Sequence, residues 1–312
     1  MHGGNLFTEL SLVFAIGAAM AGIMRYFKQP LIIGHILTGI IAGPVLFNII
    51  HDEGSFSVFS NIGSALLLFI IGLELSIRVF SQLGTAVFVT AAAQIGSITV
   101  IGTLAAKALH FGNLESFIIG VCLALSSTII IVTLFNDKKE ITRLYAQIAL
   151  GVLLLQDLVA TVGKILFATK LQGQGSVLAI GFLLVRGMLL TGLLYAVSKY
   201  LLPKMTKALE SSKDLLLIFA LGWALGLATL FERGGFSIEI GALFAGVSLA
   251  SLPYAREMAS RLKPLRDFFI VIFFVTLGHS MVPNGLVGAI VPALVFTVIV
   301  MLLKPIAAIT SM

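Results

Sequence analysis

Charge is what this sequence has least of. Only 11% of its 312 residues are Asp, Glu, Lys or Arg, against about 25% in an ordinary soluble domain. With 59% hydrophobic residues and a mean hydropathy of +1.10, the polar side chains are too few to cover a soluble globule. The disordered and collagen-like classes fall with the same numbers. Cysteine is nearly absent: Cys122 stands alone, so no intrachain disulfide can form. H-E-x-x-H, a Walker loop, a G-x-S-x-G elbow and a metal-type Cys/His cluster are all missing. The expectation is therefore a chain that is neither an enzyme nor a cofactor carrier. The net charge of +6 would suit a nucleic-acid partner in a soluble protein. In a membrane chain it reads as basic loops on one side, and no nucleic acid is expected.

What the sequence has instead is long apolar runs. A spanning helix needs about 20 mostly apolar residues, and eleven segments qualify: 5–24, 30–50, 58–76, 83–106, 114–135, 144–167, 176–199, 213–231, 237–252, 266–283 and 287–310. Turn signals such as Lys28-Gln29-Pro30, Asn136-Asp137-Lys138-Lys139 and Arg233-Gly234-Gly235 separate them. The short alternating strands of a membrane barrel are absent. The expected fold is all-α and multi-pass. Of the twenty Lys and Arg, fourteen fall in odd-numbered connections, among them Arg25, Lys28, Lys138, Lys139 and Arg143. The positive-inside rule then places the N-terminus outside and the 136–143 loop in the cytoplasm.

An internal repeat is visible. The second segment reads Ile33-Gly34 with Gly39; the ninth reads Ile240-Gly241 with Gly246, displaced by 207. The third carries Leu68-Phe69-Ile70-Ile71-Gly72 and the tenth Phe274-Val275-Thr276-Leu277-Gly278, displaced by 206. A shift of seven segments is odd, so matched segments cross in opposite directions. That is the inverted-topology repeat of many secondary transporters. It predicts a first repeat over about 5–167 and a second over about 213–312. The fifth and sixth segments would have mates past Met312, so the sequence reads as an incomplete transporter domain.

Few polar groups sit at membrane depth. Gln156-Asp157 lies in the middle of the sixth segment, where an acid costs about 2.5–3.5 kcal/mol on insertion scales. It must face protein or water, and it can hold either a proton or a cation. A purely structural aspartate is the alternative. Ser126-Ser127-Thr128 lies mid-way along the fifth segment. Its hydroxyls can satisfy backbone where a helix unwinds, freeing carbonyls for a cation, or can simply allow close packing. Lys304, before Pro305, falls near mid-membrane if its helix starts by Pro292. It reads either as a counter-ion for Asp157 or as a lysine snorkelling to the surface. Arg186, Lys164, Glu74 and His35 are weaker candidates.

The stretches Leu67–Leu75, Leu123–Thr128 and Leu155-Gln156-Asp157 together resemble the Kef-type branch of the monovalent cation:proton antiporters, within the sodium/proton exchanger superfamily. The resemblance implies a thirteen-helix domain with a dimerisation part and a core part, working as a homodimer in the cell's inner membrane. By it, Asp157 matches the ion- and proton-carrying aspartate and Gln156 its neighbour. Ser126, Ser127 and Thr128 match an unwound crossing segment, and Lys304 matches the core lysine beside the site. The glutamine favours K+ over Na+. The function expected is exchange of a monovalent cation for H+ by competition at Asp157 with alternating access. A cation channel and a non-transporting subunit are the alternatives.

Overall fold

The computed structural model describes residues 6–74, 77–171, 176–202, 213–281 and 286–311. Among these residues the regular structure is entirely helical. In chain order the helices are α1 (Leu6–Tyr26), α2 (Leu31–Ala42), α3 (Glu53–Glu74), α4 (Ile77–Ala108), α5 (Asn113–Ala124) and α6 (Thr128–Asp137). There follow α7 (Leu144–Leu171), α8 (Ser176–Tyr200), α9 (Lys213–Arg233), α10 (Ile238–Leu249), α11 (Ala255–His279) and α12 (Leu286–Ser311). Among the described residues, eight spans are long and apolar enough to cross a membrane, the Asn113–Asp137 pair of helices counting as one. The chain is an all-α multi-pass membrane protein.

The second, tenth and fifth segments differ most from the sequence reading. The second segment stops being helical at Ala42, because Pro44 has no N–H to continue the ladder and disfavours the helical region at Gly43. Residues 43–50 fold back instead, with Asn48 at φ 46° and its N–H on the Gly43 carbonyl. The tenth segment begins earlier, at Ala255, and carries Arg256, Arg261, Lys263 and Arg266 on its helix rather than in a loop. Glu257 and Arg261 pair there at 3.0 Å, one turn apart. The fifth segment is two helices, α5 and α6, separated by residues 125–127. Of the basic residues assigned to loops, Lys204 and Lys207 lie outside the described residues.

The chain divides into two compact units. The first comprises residues 1–73, 204–229 and 241–284. Its centre is α3, where Gly63 to Leu73 is buried without interruption. A helix apolar on every side has no water-facing side to present. Two glycine crossings hold this unit together. Gly39 of α2 lies against Gly278 of α11, and Gly72 of α3 against Gly246 of α10. A Cβ on Gly39 would come within 2.9 Å of the Gly278 Cα, and one on Gly72 within 2.9 Å of the Gly246 Cα. The repeat displacements turn one crossing into the other, since Gly39 maps to Gly246 and Gly72 to Gly278. The bounds of α2, moved by 207, are those of α10. Each of these two helices has 12 residues, about 18 Å of rise, short of a full crossing. The two crossings are thus related to one another as an inverted repeat would relate them.

The second unit comprises residues 74–203, 230–240 and 285–312. In it α4 is the hub, packing on α5, α7 and α12. Gly120 of α5 lies on the backbone of Thr99 and Thr103, and Gly151 of α7 receives Val87. Val87, Ala91, Ile148 and Val152 form the buried seam between α4 and α7. The hub therefore sets the relative heights of the α5–α6 break, the middle of α7 and the last turns of α12.

Candidate ion-binding site

The break between α5 and α6 follows from its sequence. Leu125 is extended (φ −72°, ψ 149°) and so is Ser127 (φ −75°, ψ 107°). The Ser127 hydroxyl accepts from the Ile130 N–H at 3.4 Å and caps α6. Consecutive hydroxyl residues offer the backbone partners other than the helical ladder, and the ladder stops. Two opposed helix ends result. The C-terminal end of α5 presents carbonyls and partial negative charge; the N-terminal end of α6 presents N–H groups and partial positive charge.

The charged side chains sort themselves by these ends. The Lys304 ammonium, from α12, donates to the Leu125 carbonyl and to the Ser126 hydroxyl, each at 2.8 Å. A cation thus sits on the electronegative end of α5. The Asp157 carboxylate, from α7, accepts from the Thr128 hydroxyl at 3.1 Å. Thr128 is the first residue of α6 and is 7% exposed, so the carboxylate lies by the electropositive end. One α7 turn further on, the Thr161 hydroxyl donates to the Asp157 main-chain carbonyl at 2.8 Å.

Of the six residues singled out from sequence, Ser126, Thr128, Asp157 and Lys304 are brought together around residues 125–128. Ser127 is exposed, its hydroxyl used in the cap. Gln156 is buried, and its amide nitrogen donates to Gln94 Oε1 at 3.4 Å. Two participants escaped the sequence reading. The Leu125 carbonyl has no side-chain signature. Gln94 had one, a lone amide in the apolar run Ala91-Ala92-Ala93-Gln94-Ile95. Among the weaker candidates, Arg186 and Glu74 are exposed and His35 is half-buried. The side chain of Lys164 lies outside the described residues. Among the described residues no group of three or more His, Cys, Asp and Glu is arranged to hold a resident metal ion.

An apolar helix is thus broken at its middle, with a basic side chain on one free end and an acidic side chain by the other. The family follows from comparison. Residues 12–312 match the family model described as "Sodium/hydrogen exchanger, transmembrane", and the chain belongs to that family. YbaL of Escherichia coli (strain K12) is 28% identical over 313 residues, covering 96% of this chain and 55% of YbaL. The glutathione-regulated potassium-efflux system protein KefC of Klebsiella pneumoniae subsp. pneumoniae is 29% identical over 253 residues, 80% of this chain and 41% of KefC. The chain thus spans about half the length of these relatives. The sodium proton antiporter MjNhaP1 from Methanocaldococcus jannaschii, at pH 8, shares the fold with a TM-score of 0.62 at 17% identity. That match covers 98% of this chain and 78% of MjNhaP1.

Proposed function

We propose that this chain carries the ion site of a secondary antiporter that exchanges a monovalent cation, K+, for H+. The observation that carries the reading is the seating of Asp157 and Lys304 on opposite ends of one broken helix. A carboxylate there takes a proton or a cation, one at a time. Thr128 supplies a hydroxyl that donates to the ionised carboxylate while its lone pairs remain open to a metal ion. Lys304 holds positive charge on the same oxygens, Leu125 O and Ser126 Oγ, that an incoming cation would share. Its ammonium keeps the site close to neutral when Asp157 is ionised, so the counter-ion role passes through the α5–α6 break.

Competition between the two ions at Asp157 couples their fluxes, provided the site opens to each aqueous compartment in turn. Preference for K+ draws on relatives named for potassium efflux, KefC among them, and on an amide rather than a second carboxylate at 156. The segments over about 5–167 and about 213–312 are proposed as the two repeats. The loop charges support an external N-terminus in the inner membrane.

The test uses the full-length protein in proteoliposomes with a pH-sensitive dye inside. An imposed K+ gradient should drive counterflow of H+, and Asp157→Asn should abolish it. Undiminished K+-driven proton movement in Asp157→Asn would remove Asp157 from the mechanism. K+ flux without proton movement in the unmodified protein would favour a channel.

A further inference from the structure

Gln94, on α4, reaches the α12 backbone on one side and the Gln156 side chain of α7 on the other, and bonding rules fix which way its amide faces. Its Nε2 is 3.5 Å from the Lys304 main-chain carbonyl, and its Oε1 accepts from Gln156 Nε2 at 3.4 Å. A carbonyl only accepts hydrogen bonds, so the Gln94 nitrogen must face Lys304. Turning that amide over would set two oxygens against each other. With the nitrogen committed, the Gln94 oxygen faces Gln156, and Gln156 must answer with its nitrogen. The Gln156 carbonyl oxygen is what remains. It is buried and has no hydrogen-bond partner, in a residue 1% exposed. Leaving such an acceptor empty is costly, and a dehydrated monovalent cation is a ligand that fills it with no donor proton.

We propose that Gln94 is a positioning residue for cation binding: it relays the polarity of the Lys304 carbonyl to Gln156, so that Gln156 presents oxygen to the ion. This rests on the antiport reading above and adds to it a residue that need not touch the ion. The relay also ties α12 to α7 through α4, at a place where Pro305 has already removed one N–H from the α12 ladder. An amide suits this position because it donates and accepts at once. Methionine, of similar shape, does neither. An ionised glutamate accepts from Gln156 but cannot donate to Lys304, whereas a protonated glutamate does both.

Those differences set the experiment. Initial rates of K+-driven proton movement are measured in proteoliposomes of the full-length protein across pH and K+ concentration. Gln94→Met should raise the apparent KM for K+ about tenfold, the scale of one lost ligand interaction, with a smaller change in Vmax. The double variant Gln94→Met/Gln156→Met should bind K+ no worse than Gln156→Met alone, because Gln94 acts through Gln156. For Gln94→Glu, the ratio of its KM to that of the unmodified protein should fall towards one as pH falls. If Gln94→Met does not fold, Gln94→Glu still decides. An unchanged KM in Gln94→Met, additive losses in the double variant, or a pH-independent ratio for Gln94→Glu would overturn the relay. Absence of exchange by the unmodified protein would instead refute the antiport reading itself, so the two failures are distinct.

Discussion

Replacing Thr128 by valine removes one hydroxyl and leaves the shape of the first turn of α6 nearly intact. In the structure that hydroxyl donates to Asp157 Oδ2 at 3.1 Å from a residue 7% exposed. A hydrogen bond to a charged group contributes about 1.5–3 kcal/mol. It acts on the ionised carboxylate, the form that accepts a cation. The bond is clearly longer than the short O–H···O⁻ contacts, so the lower end of that interval applies, about 1.5–2 kcal/mol. The hydroxyl oxygen is also a potential ligand, and its loss acts in the same direction. The apparent KM for K+ at fixed pH should therefore rise about 10–30-fold. Thr128→Ser keeps the hydroxyl and should stay near the unmodified value. The assay is the initial rate of K+-driven proton movement in proteoliposomes, with folding checked by size exclusion and thermal unfolding. An unchanged KM in a folded Thr128→Val protein would refute the argued role of this bond.

Neighbouring serines should separate by role. Ser126→Ala, which deprives the Lys304 ammonium of an acceptor at 2.8 Å, should alter ion affinity. Ser127→Ala should cost about 1 kcal/mol of stability through the lost cap and leave affinity nearly unchanged. Two glycine substitutions should differ in sign. Gly96→Ala meets open space and should raise thermal stability slightly through helix propensity. Gly120→Ala meets the Thr99 carbonyl oxygen at 2.5 Å and the Thr103 nitrogen at 2.8 Å and should cost about 1–3 kcal/mol. Ahead of α3, Asp52 accepts from the Ser55 hydroxyl at 2.6 Å and from its N–H at 3.0 Å. These two bonds hold its carboxyl below the usual aspartate range. A lowered folded-state value gives stability that is present above about pH 4 and lost as pH falls through the folded-state value. Asp52→Asn should therefore flatten that part of the thermal-stability profile.

Hydropathy carried most of the fold, because bilayer thickness imposes a length on apolar runs that no soluble constraint imitates. It failed where backbone chemistry overrode composition. Residues 43–50 are apolar enough to extend α2, yet Pro44 ends the ladder at Ala42. The charged start of α11 looked like a loop, because helix beyond the membrane has no hydropathic signal. Ser126-Ser127-Thr128 marked the unwinding of the fifth segment, since three hydroxyls in an apolar run have few other uses. Asp157 and Lys304 were legible by their cost at membrane depth. The Leu125 carbonyl was not, because every residue has one and only the break exposes it. Gln94 was passed over because a neutral amide carries a smaller penalty in an apolar helix than a charge does. Its meaning appears only when Gln156 and the Lys304 backbone stand beside it.

The central claim is that a single carboxylate exchanges a proton for a cation. The purified full-length protein in weakly buffered detergent solution tests it without vesicles or gradients. Addition of K+ near the midpoint of the pH profile should release about one proton per site, saturating with the KM seen in transport, and Asp157→Asn should release none. Proton release of equal size from Asp157→Asn, or saturable K+ binding by the unmodified protein with no proton released, would contradict the account.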